Sequence, residues 1–375
     1  MSPAPRLLIL SFSRLVSDAR ILKQIETFRS DYRVITCGYG PSPEGVAEHV
    51  TLPDDAVYWR YDRLRVIARR WKSAYWRNPA VRSAHDALVG REFDAILAND
   101  VDTAGLALRL RPRCGVHLDL HEFSPLQNTE MLRFRLFVAP FLSWQLRTFG
   151  ARAESTTTVC LSLAEKYREE FGFDTEVVTN ASPHAVLAPS EVTARIRIVH
   201  AGAALANRRL ELLIEAMQGL EAHASLDLFL TPNDHGYLTT LMAAADALPH
   251  VSVQPAVPYE DLLPTLNRFD VGVHLLAPTN FNNRFALPNK FFDYVQARLA
   301  VLIGPSPEME RLLREHQLGL VTDDFTAEAL RDAIRSMTRE DVRSWKNNSH
   351  RHAGELSAET QNAVWRAAID RLCAR

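Results

Sequence analysis

Short apolar runs of strand length alternate along the chain with amphipathic stretches of helical length. In the first half, the apolar runs lie at 7–10, 33–37, 95–98, 116–120, 157–161 and 176–178. After the first run, Ile21, Leu22, Ile25 and Phe28 recur at helical spacing. Strands that are apolar throughout and separated by helices are typical of parallel sheets covered on both faces. The pattern therefore predicts a doubly wound α/β domain.

The same alternation starts again in the second half. Its apolar runs lie at 196–200, 226–230, 251–253, 271–275, 301–303 and 319–321, and its helical stretches at 209–217, 237–247, 259–266, 290–297 and 308–315. Between the halves, turn-forming residues at 180–183 interrupt both periods. We therefore predict two Rossmann-like domains, at 1–183 and 184–355. A C-terminal crossover helix at 356–375 is expected to pack back on the N-terminal domain.

Composition narrows the class of protein. Of 375 residues, 47% are hydrophobic and 23% are charged, which is the profile of a globular protein rather than a disordered or fibrous one. The formal charge of −2 argues against nucleic acid as a partner. Four cysteines lie far apart without CxxC spacing, which favours a reducing compartment. The run at 7–10 is too short for a signal peptide, and no run reaches the length of about 18 residues needed to span a membrane. We expect a cytoplasmic protein.

Polar side chains follow two successive predicted strands of the first domain. Asn99 and Asp100 follow the run at 95–98, and His121 and Glu122 follow the run at 116–120. In doubly wound folds, ligands bind at the carboxyl ends of the strands. These residues therefore indicate either a catalytic site built from His121, Asp100 and Glu122 or a purely structural cluster. Because no HExxH or other metal-ligand spacing is present, we predict no metal.

The second domain carries a cationic candidate site. Gly202 lies at a predicted strand end, where it permits close approach of the backbone, and Arg208 follows in the next loop. Asn289 and Lys290 come directly after Pro288, at a predicted helix start. A cation at this position opposes the helix dipole, which favours anions. The arrangement is explained if the cation and the helix N–H groups together bind a diphosphate. The alternative is an exposed lysine on a helix that tolerates it.

Six segments, in this order, resemble the retaining glycosyltransferases of family four, which have the GT-B fold. They are Asp18-Ala19-Arg20, Ala98-Asn99-Asp100-Val101-Asp102-Thr103, Asp119-Leu120-His121-Glu122, Val177-Val178-Thr179-Asn180, Gly202 with Arg208, and Leu287-Pro288-Asn289-Lys290-Phe291-Phe292-Asp293-Tyr294. The resemblance covers nearly the whole chain. It implies two Rossmann-like domains facing a central cleft, the first for the acceptor and the second for the donor. It also implies a metal-independent, hexosyltransferase-like enzyme of polysaccharide biosynthesis, with a UDP- or GDP-sugar as donor and no cofactor.

The resemblance also implies roles for individual residues. His121 would lie beside the donor sugar, and Asp293 would hold the nucleotide ribose. The residues expected to bind the donor diphosphate are Gly202, Arg208, Asn289 and Lys290.

Two positions depart from the family pattern. Phe285 stands where the first acid of the nucleotide-binding motif is expected, and Ala203 stands where an arginine usually follows the glycine. These departures keep two alternatives open. One is an isomerase similar to nucleotide-sugar 2-epimerases, which would convert the donor without an acceptor. The other is a catalytically degenerate GT-B protein, which would bind a nucleotide or glycan without turnover.

Basic and aromatic residues are interleaved between residues 59 and 82. The eight basic residues are Arg60, Arg63, Arg65, Arg69, Arg70, Lys72, Arg77 and Arg82, beside a single acid, Asp62. Since Leu64, Ile67, Ala68, Trp71 and Tyr75 follow helical spacing, we predict one amphipathic helix that lies on an anionic membrane surface. The predicted membrane or acceptor patch comprises Arg63, Arg69, Arg70, Trp71, Lys72 and Trp76.

A second segment, 131–149, has a similar character, being rich in Leu and Phe with Arg133, Arg135 and Arg147. For both segments the alternative is a solvated helix whose apolar stripe packs on the sheet. Single-stranded nucleic acid also binds cations interleaved with aromatics, but the acidic net charge disfavours it. Under the lipid interpretation, the protein is peripheral on the inner face of the membrane. Its acceptor is then lipid-linked rather than a free glycan.

Overall fold

The computed structural model describes residues 4–374 and forms two compact units. The first comprises the chain up to Thr179, Asn280–Asn282, and the chain from Gln361. The second comprises Asn180–Thr279 and Asn283–Thr360. The domain limits drawn from the sequence at 183 and 355 stay predictions.

The first unit is built on a seven-stranded parallel sheet in the order β3-β2-β1-β4-β5-β6-β7. Its strands are β1 (Arg6–Arg14), β2 (Arg33–Tyr39), β3 (Glu48–Thr51), β4 (Ala95–Asn99), β5 (Gly115–Leu120), β6 (Ser155–Thr158) and β7 (Glu176–Val177). Its helices are α1 (Ala19–Phe28), α2 (Arg63–Ile67), α3 (Trp71–Trp76), α4 (Pro79–Leu88), α5 (Val101–Leu110), α6 (Ala139–Thr148) and α7 (Leu161–Phe171). The strand predicted at 157–161 is wrong at its end, because β6 stops at Thr158 and Leu161 already begins α7.

The second unit repeats this plan with a six-stranded parallel sheet in the order β10-β9-β8-β11-β12-β13. Its strands are β8 (Ile196–Ala203), β9 (Ala224–Thr231), β10 (Val251–Pro255), β11 (Val271–His274), β12 (Ala300–Ile303) and β13 (Gly319–Val321). The helices of this half are α8 (Glu211–Ala216), α9 (His235–Asp246), α10 (Tyr259–Leu266), α11 (Phe281–Arg284), α12 (Asn289–Gln296), α13 (Pro307–Glu315), α14 (Ala327–Ser336) and α15 (Arg339–His352). The predicted α/β class with two doubly wound domains is confirmed.

The last helix, α16 (Ala358–Cys373), returns to the core of the first unit. Trp365, Ile369 and Leu372 are buried there against residues of β1 and α1. The indole N–H of Trp365 donates to Thr157 Oγ1 at 3.2 Å. The apolar face of α16 thus packs on the first unit, as the sequence predicted.

The single amphipathic helix predicted across 60–82 is wrong. The segment folds as the short helices α2 and α3, separated by Arg69, whose φ of 54° is left-handed. At this break, Arg70 N donates to Arg65 O at 2.8 Å, which closes α2. The predicted apolar stripe is therefore divided: Tyr75 is buried, whereas Leu64 is 79% exposed and Ile67 52% exposed.

Candidate functional site

A buried ion pair organises the carboxyl edge of the first sheet. Arg20, in the first turn of α1, donates from Nε and Nη2 to the two carboxylate oxygens of Asp119 in β5, at 2.7 Å each. Asp119 also accepts from Gln24 Nε2 at 2.8 Å and from Thr157 Oγ1 at 2.6 Å. Burial alone would raise the pKa of Asp119, but the Arg20 guanidinium outweighs it and holds that pKa well below the usual range. Asp119 therefore stays an anion.

His121 lies next to this pair, directly after β5. Its Nε2 is 3.2 Å from Asn99 Oδ1 and 3.5 Å from Asp119 Oδ2, and its Nδ1 is 3.5 Å from Asp100 Oδ2. Burial lowers the pKa of His121, but Asp100 and Asp119 outweigh burial, so the pKa lies above its usual value. The imidazole therefore lies between two carboxylates that favour its protonated form.

The structure brings two of the three predicted catalytic residues together. Asp100 accepts from the backbone N–H of His121 at 3.2 Å as well as facing its ring. Glu122 is exposed, and its carboxylate accepts from Asn282 Nδ2 at 3.3 Å. His121 and Asp100 thus form the candidate centre of this unit, whereas Glu122 lies at its edge.

Asp100 adopts an unusual backbone conformation, with φ of 62° and ψ of 160°. Such a conformation is costly for a residue with a Cβ and persists where the surroundings impose it, often at functional sites. Here Asp100 N donates to Asp119 O at 2.8 Å, and its own carbonyl accepts from Thr103 Oγ1 at 2.9 Å. Asp100 precedes α5 as its cap residue.

Asp102 lies in the first turn of α5 and accepts from the Tyr61 hydroxyl at 3.1 Å. Burial, with Asp100 adding a like charge, raises the pKa of Asp102 to about 7. Sequence reasoning did not single out this carboxyl, because its environment depends on Tyr61 from a distant loop.

In the second unit, the predicted cations converge on the carboxyl edge of β8. A Cβ built on Gly202 would lie 2.7 Å from Lys290 Nζ and 3.4 Å from His200 Nε2. The glycine therefore leaves room for the lysine head. Lys290, in the first turn of α12, lies with Nζ 3.4 Å from His200 Nε2. Burial, with Arg208 as a further cation, lowers the pKa of Lys290 to about 8.

Two histidines that the sequence did not single out line the same edge. His200 Nδ1 donates to Val273 O at 2.9 Å, which leaves Nε2 to accept from Lys290. His274 stacks on His200 with ring centroids 6.1 Å apart, and no hydrogen-bond partner of either ring nitrogen is found among residues 4–374. Burial and Lys290 lower the pKa of both rings well below the usual value, so both are neutral. His274 is the last residue of β11, and His200 lies in the second half of β8, so their place towards the carboxyl ends of strands was the one signal available for finding them.

The remaining predicted donor residues lie around this edge. Arg208 is partly buried in the loop after β8, and Asn289 is exposed at the start of α12. Asp293 is buried one turn further along α12 and accepts from Ser182 Oγ at 2.5 Å. Its expected contact with a ribose stays a prediction.

A possible metal-binding group of three residues lies elsewhere in the second unit. Ligand atoms of His316, His352 and Glu355 lie within 4.8 Å of one another. His316 directly follows α13 and precedes β13, so it stands at the amino ends of the strands. Gly202 stands at their carboxyl ends, on the opposite edge of the sheet. The group therefore does not belong to the cationic site, and metal independence of the reaction stays a prediction.

The predicted basic patch lies on the first unit. Arg63, Arg69, Arg70 and Lys72 are exposed, and Trp71 and Trp76 are partly buried. Arg69, Arg70, Trp71, Lys72 and Trp76 line one open cavity together with Trp144 of α6, whereas Arg63 lines a second cavity. In the part of the chain that the structure describes, no helix has both the length and the apolar composition to cross a bilayer.

Comparison with known proteins defines the fold. No protein-family model matches the chain, and no curated protein matches it in sequence. Among solved structures, α,α-trehalose 6-phosphate synthase from Burkholderia multivorans is similar with a TM-score of 0.70 at 11% identity, covering 99% of each chain. Anabaena HepE in complex with UDP-glucose has a TM-score of 0.70 at 14% identity, covering 98% of this chain and 100% of its own. Sucrose-phosphate synthase from Thermosynechococcus elongatus has a TM-score of 0.70 at 13% identity, covering 99% of each chain. The chain has the GT-B fold of these proteins over nearly its whole length.

Proposed function

We propose that the protein is a retaining, metal-independent glycosyltransferase that moves a sugar from a nucleotide-sugar to a glycan or lipid-linked acceptor. The observation that carries this proposal is the cationic site at the carboxyl edge of β8, where Gly202, Lys290 and Arg208 converge on a scaffold with the GT-B fold. A solved structure with this fold contains UDP-glucose, and others are sugar-phosphate synthases. Asp293 holds the nucleotide ribose in this scheme.

The charge balance of the second-unit site favours a diphosphate as its ligand. No carboxylate oxygen lies within 4 Å of Lys290 Nζ among residues 4–374. Arg208 lies near enough to depress the pKa of Lys290, and both neighbouring histidines are neutral. An anionic ligand would offset the cost of holding these cations together. Fixed cations of this kind also stabilise the charge that develops on a leaving diphosphate, which is the task that a metal ion performs in other transferases.

His121 supports retention rather than inversion of the sugar configuration. An inverting transfer needs a base that accepts the proton of the acceptor hydroxyl. Asp100 and Asp119 raise the pKa of His121 above its usual value, which favours the protonated ring and a role as hydrogen-bond donor over that of the accepting base. In the proposed step, the new bond between the acceptor oxygen and the anomeric carbon forms on the face from which the diphosphate leaves. The hydroxyl proton passes to the departing diphosphate oxygen, and His121 donates a hydrogen bond to the sugar.

The basic patch supports a proposal for where in the cell the protein acts. Its exposed cations are suited to an anionic membrane surface, where each contributes roughly 1 kcal/mol at close approach. The protein would then act in the cytoplasm, held reversibly on the inner face of the membrane.

The test begins with thermal unfolding in the presence of UDP-, GDP-, ADP- and dTDP-sugars, with a chelator throughout. A ligand at about 100 times its Kd adds roughly 2.7 kcal/mol of stability. We expect a rise in Tm with the sugars of one nucleotide. The rise should be lost in Lys290→Ala and kept in Arg209→Ala, which removes an exposed neighbouring cation.

A turnover assay then distinguishes the transferase from the isomerase and from the degenerate protein. Incubating the identified donor with membrane and glycan extracts should release nucleotide and transfer the sugar, and NMR should show the anomeric configuration of the donor in the product. An inverted product or a strict metal requirement would refute the corresponding part of the proposal. Epimerised donor without an acceptor would instead identify an isomerase, and donor binding without any product would identify a degenerate GT-B protein.

A further inference from the structure

A second, largely apolar cavity opens in the first unit where the two basic aromatic segments meet. Its volume is about 880 Å³. Its apolar walls are Trp59, Tyr61, Val66, Ile67, Phe137 and Val138. The first four come from the loop before α2 and from α2 itself, and the last two come from the turn before α6. A volume of this size lies within the range of roughly 300–1,000 Å³ that is usual for sites that bind small molecules.

Positive charge accompanies these apolar walls. Arg60, Arg63 and Arg133 also line the cavity, and all three are exposed. None of them forms an ion pair with a carboxylate among residues 4–374; the nearby Asp62 is paired with Arg65. An apolar cavity lined by unneutralised guanidinium groups is complementary to a molecule that has a hydrocarbon chain and an anionic group.

The same two segments expose large apolar side chains to solvent. Trp59 is 61% exposed, and Leu64, Met131, Leu132 and Leu136 are also exposed. Exposed apolar side chains are ordinary when they are scattered singly, but their concentration on neighbouring segments indicates an interaction surface. Together with the arginines, they are suited to the boundary between lipid headgroups and hydrocarbon, from which an amphiphile enters the cavity.

One residue of the cavity wall is hydrogen-bonded to Asp102, which interacts with the candidate catalytic residue Asp100. The Tyr61 hydroxyl donates a hydrogen bond to Asp102, and Asp102 lies near enough to Asp100 for the two carboxylates to interact. Asp100 in turn faces His121 at 3.5 Å. The cavity wall is therefore linked to the His121 centre through Asp102 and Asp100.

A second route joins the cavity to the same centre. The ring of Trp59 packs edge-on against Tyr58, with centroids 5.2 Å apart. Burial, followed by the charges of Asp102, Asp100 and Glu122, raises the pKa of Tyr58 to about 12. Tyr58 therefore packs against the cavity wall and is also close enough to the carboxylates around His121 to interact with them.

We infer that this cavity is the acceptor subsite, and that it takes an anionic lipid whose hydrocarbon chain lies against the apolar walls. The lipid phosphate lies at Arg60, Arg63 and Arg133, and the hydroxyl that receives the sugar points towards Asp100 and His121. This inference rests on the proposed glycosyltransferase function and names the chemical class of its acceptor.

The test measures binding of monomeric dodecyl phosphate, below its micelle concentration, to the full chain by calorimetry. Dodecanol and inorganic phosphate serve as the two half-ligands. We expect dodecyl phosphate to bind at least about tenfold more tightly than either, because each half engages only part of the site. Equal binding of inorganic phosphate would overturn the inference, since it would leave only a surface anion site.

Paired variants locate the binding. Val138→Trp fills the cavity, and the double variant Arg63→Gln, Arg133→Gln removes its charge. Each should weaken dodecyl phosphate binding about tenfold or more. Arg135→Gln, an exposed arginine of the same segment that does not line the cavity, should leave the affinity unchanged. Unchanged Tm values would show that all variants are folded. Equal loss in Arg135→Gln would refute a defined subsite.

Vesicles distinguish the subsite from general attachment. One contrary result is that wild type and Val138→Trp bind equally well to vesicles that contain anionic lipid, while neither binds monomeric dodecyl phosphate. That result would overturn the inference in favour of docking on the membrane surface. Failure of the glycosyltransferase proposal has a different signature. In that case dodecyl phosphate binds as expected, while no nucleotide-sugar shifts the Tm.

Discussion

In the first unit, the charges at the sheet edge neutralise one another, whereas in the second unit Lys290 and Arg208 form no ion pair with a carboxylate among residues 4–374. Arg20 and Asp119 form a buried bidentate pair, and His121 lies between Asp119 and Asp100. At the corresponding edge of the second sheet, Lys290 meets the neutral ring of His200 and the positive charge of Arg208. Two parallel sheets built on the same plan thus differ at their carboxyl edges: the charges are paired in the first unit and predominantly positive in the second.

The difference follows from what each edge is proposed to bind. The first-unit network orients His121 and favours its protonated form, which is useful if it must donate to an uncharged sugar. In the second unit, burial depresses the pKa of Lys290, so charge there costs free energy until an anion arrives. Substitutions at the first edge should therefore change mainly the stability of the protein, and substitutions at the second edge should change mainly ligand binding.

The largest expected effect is on stability, in Asp119→Asn. Removing the carboxylate leaves Arg20 buried with its charge uncompensated, which costs about 3–5 kcal/mol of unfolding free energy. Chemical denaturation at pH 7 measures it. The matched control is Arg168→Ala, which breaks the exposed pair with Asp174 and should cost no more than about 1 kcal/mol. Similar costs for both variants would mean that the buried network does not stabilise the first unit.

The next effect is on binding, in Lys290→Ala. Nucleotide-sugar affinity should fall about 10- to 100-fold, because a charged contact to phosphate contributes roughly 1.5–3 kcal/mol. The unfolding free energy should change by less than about 1 kcal/mol, or rise, since burial and Arg208 disfavour the charge of Lys290 more than Asp293 favours it. Calorimetry and denaturation measure the two quantities separately.

Lys346 in the same unit provides the contrast. Its Nζ is buried and donates to Ser190 Oγ, Phe269 O and Asp270, at 2.9, 2.7 and 3.2 Å. Lys346→Ala should therefore lower the unfolding free energy by roughly 2–4 kcal/mol and leave nucleotide-sugar affinity unchanged. If Lys290→Ala destabilises the protein as much as Lys346→Ala, then Lys290 is a structural residue and the comparison between the two edges fails.

The central strands of both sheets were predictable because they are buried on both faces and therefore apolar along their length. β3 was missed, since Glu48, His49 and Thr51 give this short edge strand no apolar pattern. The break between α2 and α3 was also missed. Nothing in the sequence marks Arg69 as left-handed, because no glycine stands there and the apolar period continues through it.

The candidate site was predictable where a single strand end carries several polar residues. His121 and Asp100 follow adjacent parallel strands, so the prediction that they meet needed only the topology. His200 and His274 were missed because they lie on separate strands, β8 and β11, and neither has a polar neighbour that marks it. The protonation of these groups depends on burial and on distant charges such as Arg208, which sequence spacing does not reveal.

The smallest expected effect is on the pH dependence of donor binding. Burial, with Arg208, lowers the pKa of Lys290 to about 8, below that of a free lysine, so its charge is present below pH 8 and lost above it. His200 and His274 are already neutral in this range, and a sugar diphosphate keeps a constant charge. Affinity should therefore fall between pH 7 and 9, by at most about tenfold, since binding an anion itself raises the pKa of the lysine. Lys290→Arg should flatten the profile, because a guanidinium keeps its charge. Calorimetry with the uncleaved nucleotide-sugar at pH 7, 8 and 9 provides the measurement. Parallel profiles for wild type and Lys290→Arg would show that the Lys290 charge does not contribute to donor binding.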